Sequence, residues 1–217
     1  MKEFIFFDLD GVILNSMPYH AQAWILAFRE FGLEFSEEEI LLHEGAIELD
    51  TALTLFTSKG VNPTPQFFIE AFKLQKKIFK EKFSSLVKPF PEIPDLLNAL
   101  KKEGRKLSLV TSSSEEILRD VLPSQLIHLF EVIITGDKVV KRKPHPDPYL
   151  KAKEFFGAKD EEIAVVENSP AGVLSAKRAN LFCIGITTTL SAEHLSLADV
   201  IVSNHKELKE ILLNGTS

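Results

Sequence analysis

The chain has 217 residues, with 31 acidic against 25 basic side chains and a net charge of −6. That length buries a full core, either as one α/β domain or as a core domain carrying a smaller insert. The acidic balance offers no broad electropositive face, so nucleic acid is not an expected partner. A single cysteine, Cys183, inside the apolar run Leu181-Phe182-Cys183-Ile184 excludes a disulfide framework and reads as core rather than nucleophile.

From the N-terminus the chain passes straight from Met1-Lys2-Glu3 into Phe4-Ile5-Phe6-Phe7, which Asp8 interrupts too soon for a signal peptide or a membrane span. A soluble, cytoplasmic protein with no membrane partner is the expectation. Short apolar runs rich in β-branched residues begin near Phe4, Leu107, Val132, Ile163, Leu181 and Val200, and most are followed by a helical pattern. This alternation predicts a parallel sheet, giving a doubly wound, Rossmann-like α/β core. Helix starts are marked by proline at His145-Pro146 and Ser169-Pro170, where the missing N–H is not needed in the first turn.

Between the first strand and Leu107 the pattern changes, and residues from about Ser16 to Phe83 read as helices alone. An inserted α-helical cap over 16–86 is therefore expected, with the catalytic core formed by 1–15 and 87–217. The junctions fall at Asn15-Ser16 and at Ser84-Ser85-Leu86-Val87-Lys88-Pro89, where small residues and proline suit a two-stranded hinge. Inside the insert Tyr19, Ala23, Trp24, Ala27, Phe28 and Phe31 recur at helical spacing, as packing residues do. The 17 phenylalanines of the chain fall in alternating or helical registers, so core filling accounts for them. No exposed apolar seam is separable from this core pattern, which leaves the oligomeric state open and a monomer compatible.

Ligands of open α/β sheets sit beyond the carboxyl ends of the strands, and four segments there carry chemistry. Phe7-Asp8-Leu9-Asp10-Gly11 ends the first run with two carboxylates one residue apart, followed by a glycine that permits a sharp turn toward a ligand. One carboxylate can reach phosphorus while the second reaches the leaving oxygen, as nucleophile and as positioned acid. Leu107-Ser108-Leu109-Val110 delivers Thr111, with Ser112 and Ser113 after it, where a hydroxyl and a backbone N–H would hold a phosphoryl oxygen or simply cap a helix. In Lys141-Arg142-Lys143-Pro144-His145-Pro146, the flanking prolines restrict the backbone and aim the Lys143 ammonium at an aspartate, while Lys141 and Arg142 are expected in solvent. Val165-Val166-Glu167-Asn168-Ser169-Pro170 ends a strand in oxygen side chains that suit Mg²⁺, with a structural asparagine cap as the alternative.

In this order the four segments resemble the four motifs of the haloacid dehalogenase superfamily, and the placement of the insert is similar to its β-phosphoglucomutase-like branch. Ser16-Met17-Pro18-Tyr19-His20-Ala21-Gln22-Ala23-Trp24 resembles the segment after the first motif of that branch, including His20 and Trp24. The resemblance implies Asp8 as nucleophile, Asp10 as general acid and base, Thr111 as phosphate binder and Lys143 as the neutralising cation. It places Mg²⁺ between Asp8, the Asp10 carbonyl and the Glu167-Asn168 pair. Dehalogenase members lack the second aspartate of the first motif, so Asp10 implies phosphoryl transfer on a small phosphorylated substrate.

Two positions depart from the pattern. Asn168 stands where many relatives carry aspartate, which removes one negative charge from the metal site. His43-Glu44-Gly45 falls in the insert loop that faces the site in this branch, and a subset resembling inorganic pyrophosphatase pairs such a glutamate with the asparagine. Glu44 is therefore a candidate metal ligand and Gly45 a candidate substrate contact. The mutase uses an arginine near this loop for a distal phosphate; here the nearest position is Glu48, which repels a phosphate, so hydrolysis ranks above phosphomutase activity. Lys76 is a candidate for a second phosphate, its plain alternative being an exposed helix lysine. A non-catalytic phosphate-binding protein is the reading from another functional class.

Overall fold

The computed structural model describes residues 2–43, 53–57 and 59–215. Strands β1 (Phe4–Phe7), β2 (Lys106–Val110), β3 (Val132–Ile134), β4 (Ile163–Glu167), β5 (Phe182–Ile186) and β6 (Val200–Val202) form one sheet. Their order is β3-β2-β1-β4-β5-β6 and every neighbouring pair is parallel. The strands are nearly continuous apolar runs because both faces are covered, as parallel sheets require. Period-two alternation sends Ile5 and Phe7 to one face and Phe4 and Phe6 to the other, all four buried.

On the first face lie α5 (Ile93–Lys102), α6 (Glu115–Val121), the short α7 (Ser124–Ile127) and α10 (His205–Asn214), which supply residues such as Leu97, Leu118 and Leu208. The opposite face is covered by α8 (Asp147–Phe156) and α9 (Pro170–Arg178), through Tyr149, Ala152, Val173 and Ala176. Strand order reverses between β1 and β4, so the crevice of this doubly wound sheet opens beyond the carboxyl ends of those two strands.

Proline marks the two helix starts differently from the expectation at one of them. In α9, Ser169 accepts a hydrogen bond from the Gly172 N–H and Pro170 occupies the first turn. In α8 the helix begins at Asp147, Pro146 is the residue before it, and Pro148 takes the first-turn position. His145 N–H instead closes a turn onto the Arg142 carbonyl, which delays the helix by about one position.

The segment between β1 and α5 is helical among the described residues: α1 (Met17–Arg29), α2 (Glu37–Leu41), α3 (Leu53–Thr57) and α4 (Pro65–Ile78). A π-helical turn over Phe79–Phe83 and a 3₁₀ turn over Ser84–Leu86 follow α4. These helices enclose an aromatic cluster of their own, in which Phe28 meets Trp24, Phe35 and Phe56 at ring separations of 5.1 to 5.3 Å. The chain leaves and rejoins the sheet at adjacent places. Asn15 N–H donates to the Lys88 carbonyl at 2.9 Å, Phe90 N–H donates to the Ile13 carbonyl at 3.0 Å, and Leu14 and Pro89 form an antiparallel bridge.

Candidate active site

Asp8 is the first residue beyond β1, and its N–H donates to the Val166 carbonyl of β4, which fixes it at the crevice. Leu9 turns back into the core, so Asp10 faces the same crevice as Asp8. Gly11 follows at φ +86°, and a Cβ there would lie 2.0 Å from the Asn168 side chain, so both conformation and space require glycine.

Lys143 is buried, and its ammonium donates to Asp8 Oδ1 at 2.5 Å, Glu167 Oε1 at 2.7 Å and the Val110 carbonyl at 2.8 Å. Burial pulls the ammonium pKa down, but Asp8 and Glu167 outweigh it and hold Lys143 charged, above the usual lysine value. Burial pushes the Asp8 carboxyl up to about 7, against the pull of Lys143 and with the Glu167 and Asp10 charges adding to the rise.

Asp10 has different surroundings. It accepts from the Ser16 hydroxyl at 2.6 Å and the Ser113 hydroxyl at 2.8 Å, and the His20 Nε2 lies 3.2 Å from it. Burial raises its pKa, but the His20 charge and these hydrogen bonds prevail and hold it at about 2. Thr111, the first residue beyond β2, is buried, and its hydroxyl accepts the Ser113 N–H at 3.0 Å. Ser112 lies between them and presses its carbonyl against Gly136, where a Cβ would stand 2.1 Å away.

Glu167 is placed behind the site rather than in it. It is the last residue of β4, fully buried, and its carboxylate accepts from Lys143, from the Tyr149 hydroxyl at 2.6 Å and from the Asn168 N–H at 3.1 Å. Those donors engage Oε1 twice and Oε2 through a backbone N–H, which ties Glu167 to Lys143 and to the start of α9. Asn168, by contrast, lines the cavity with Asp8, and its amide nitrogen donates to the Thr189 hydroxyl at 2.8 Å. That contact leaves the amide oxygen as the acceptor on offer.

Among the described residues no three His, Cys, Asp or Glu side chains gather as a metal site. Asp8 and Asn168 both line the cavity, and the oxygens that they and the Asp10 backbone carry are of the chemical kind that suits Mg²⁺, a hard cation that keeps several waters. Glu44, Gly45 and Glu48 lie outside the described residues.

A cavity of about 360 Å³ joins these groups to α1 and α4. His20 stacks on Phe79 with ring centroids 4.0 Å apart, and Trp24 is buried against Phe28 and Phe72. Lys76 reaches the cavity, and its ammonium pairs with Glu116 of α6 at 2.6 Å. Arg142 corrects the expectation that it stays in solvent, because it too lines the cavity. Lys141 is exposed. Gln75 was not singled out from sequence; it lines the cavity and lies 3.4 Å from His20 Nδ1.

The sequence pattern described as haloacid dehalogenase-like hydrolase matches residues 5–186. Validoxylamine A 7'-phosphate phosphatase of Streptomyces hygroscopicus subsp. limoneus is 28% identical over 96% of this chain and 97% of its own length. Phosphoglycolate phosphatase of Aquifex aeolicus is 31% identical over 81% of this chain and 80% of its own. Phosphorylated carbohydrates phosphatase of Thermotoga maritima is 30% identical, covering 82% of each chain. Among solved structures, CbbY from Rhodobacter sphaeroides in complex with phosphate superposes with a TM-score of 0.76 at 25% identity, over 96% of each chain.

Proposed function

Because this chain belongs to the haloacid dehalogenase-like hydrolases, we propose that it is a Mg²⁺-dependent phosphatase of small phosphorylated metabolites, acting through an aspartyl phosphate. The observation that carries this reading is the buried Lys143 ammonium on the Asp8 carboxylate, with the Asp10 carboxylate two residues further along the same strand end. Relatives named as phosphatases of sugar-like phosphates and of phosphoglycolate support the substrate class.

Asp8 attacks phosphorus in line, the P–O bond to the leaving alcohol breaks, and Asp10 delivers a proton to that oxygen. Water then attacks the aspartyl phosphate while Asp10 takes its proton, releasing phosphate and restoring Asp8. Thr111 and the N–H groups after it bind phosphoryl oxygens, and Lys143 supplies fixed positive charge beside them. Mg²⁺, held by Asp8, the Asp10 carbonyl and Asn168, with Glu44 as a further ligand, would when bound neutralise phosphoryl charge and favour ionised Asp8. Phosphate ester hydrolysis without a catalyst is among the slowest reactions, with accelerations up to about 10²¹-fold, so every one of these charges has a task. The held-down pKa of Asp10 keeps it ionised in the resting site; to act as acid and then as base it must first be raised and take a proton from solvent, which requires substrate to displace some of the His20, Ser16 and Ser113 contacts that lower it. Helices of 16–86 form the cap that closes over the substrate and excludes water from the first step.

Phosphate release from sugar phosphates, p-nitrophenyl phosphate, 2-phosphoglycolate and pyrophosphate is the test, with Mg²⁺ and with excess chelator. Release is expected only with metal, and Asp8→Asn is expected to abolish it. Appreciable turnover by the purified variant would remove Asp8 as nucleophile. Isomer formation without net phosphate would instead identify a mutase.

A further inference from the structure

We infer that the preferred substrate is the monophosphate of a neutral cyclic polyol, a pyranose or a cyclitol, whose apolar ring face lies against the aromatic wall of the cavity. This rests on the phosphatase reading above and narrows it, setting aside leaving groups that carry a carboxylate or a second phosphate. The first support is that every cation of the cavity is already committed. Lysine and arginine are absent from 1, 44–52, 58 and 216–217, so each of them in the chain is a described residue. Those that line the cavity are Lys76, Arg142 and Lys143. Lys143 directs all three of its protons to Asp8, Glu167 and the Val110 carbonyl. Arg142 donates from Nε to the Gly136 carbonyl at 3.1 Å, its guanidinium carbon lies 5.8 Å from the Phe72 ring centroid, and these are not its only partners. Lys76 is paired with Glu116 at 2.6 Å, and Asp137, exposed where it lines the cavity, repels a second anion.

The second support is the wall itself. A cavity of about 360 Å³ lies in the range of sites that enclose whole small molecules, and a two-carbon leaving group would leave much of it to water. Its lining is largely apolar, built by Met17, Trp24, Phe72, Phe79 and Ile117. Phe72 is the least buried of the three aromatic rings, and Trp24 meets it edge to face at 5.0 Å, which fixes its orientation. An open-chain polyol laid on such a wall turns hydroxyls away from water without partners and must give up the freedom of several bonds. A ring arrives already ordered, with its C–H face toward the aromatic side chains. One polar group among these residues waits for a hydroxyl. Ser114 lines the cavity, its hydroxyl is buried without a hydrogen-bond partner, and it does not cap the α6 helix that follows. A buried hydroxyl of this kind is satisfied by a polar substrate group, and a sugar hydroxyl both donates and accepts.

Matched esters test this. 2-Hydroxyethyl phosphate and 2-phosphoglycolate differ only in a hydroxymethyl group against a carboxylate, and propane-1,3-diol monophosphate and bisphosphate differ only in the second phosphate. Glucose 6-phosphate and glucitol 6-phosphate set a ring against an open chain. The wild type is expected to favour the neutral member of both charge pairs, and the ring over the chain, by about tenfold in kcat/KM. Ser114→Ala is expected to lower kcat/KM for glucose 6-phosphate about fivefold, mainly through KM, and by less for cyclohexyl phosphate, a ring without hydroxyls. An anionic member cleaved as well as its neutral partner, in either pair, overturns the inference. So does a chain cleaved as well as the ring, or an equal effect of Ser114→Ala on the two cyclic esters. Failure of the phosphatase reading is a separate result: no ester then yields phosphate.

Discussion

Two carboxylates, Asp8 and Glu167, share one buried ammonium, and only one of them faces the crevice. Removing charges from water costs more than a single partner returns, so the carboxyl with the poorer surroundings yields its charge first. Burial has raised Asp8 to about 7 from its ordinary 3.8. A carboxyl raised in the folded state stabilises fully below 3.8, and that stabilisation is lost as the pH rises through about 7. Chelated protein is therefore expected to lose thermal stability between pH 5 and 8, Asp8→Asn to flatten that slope, and Mg²⁺ to restore more at pH 8 than at pH 5. Parallel slopes for wild type and Asp8→Asn would show that Asp8 is not the source. Asp8, Asp10 and Thr111 were legible in the sequence because a strand end is marked twice, by the close of an apolar run and by the oxygen that follows. Glu167 and Asn168 were not separable, since adjacent residues at a strand end point opposite ways and only packing says which way is inward. Arg142 sat in a basic run that gives the number of charges but not their direction.

Junctions between strand and helix do the positioning. Helix α9 approaches β4 so closely that a Cβ on Gly172 would stand 2.0 Å from the Glu167 carboxylate. Gly172→Ala therefore pushes Glu167, and through it Lys143, off its present line to Asp8. About a hundredfold loss of kcat is expected, the scale on which a displacement near 1 Å acts on a reacting geometry. Stopped or continuous phosphate assays on the folded variant measure it, and near-normal kcat would show that the helix can move aside. All six strands begin within a residue or so of where their apolar runs begin, because fully buried parallel strands leave an unbroken signature. The π-helical turn that carries Phe79 beneath His20 has no such signature, as its residues fit an α-helix equally well. Likewise Pro146 and Pro148 both suit a first turn, and the backbone contact of His145 chose between them.

At the scale of the molecule, three ion pairs span from the helical insert to the sheet side. Lys76 and Lys80 meet Glu116 at 2.6 and 2.8 Å, and Lys80 meets Asp120 at 3.3 Å. All are substantially exposed, so their combined hold is modest and salt-sensitive. Glu116→Gln is expected to raise KM by less than about threefold at low ionic strength, and the difference should vanish near about 0.5 M salt. Equal KM values at low salt would mean that these pairs do not hold the insert over the substrate. The insert has an aromatic core that needs nothing from the sheet, and its two connections run side by side at Leu14 and Pro89. Ends that meet in this way make the segment a cassette. Recombination between relatives can exchange it at those two points, altering what the enzyme accepts while the strand ends that cleave the ester are inherited intact.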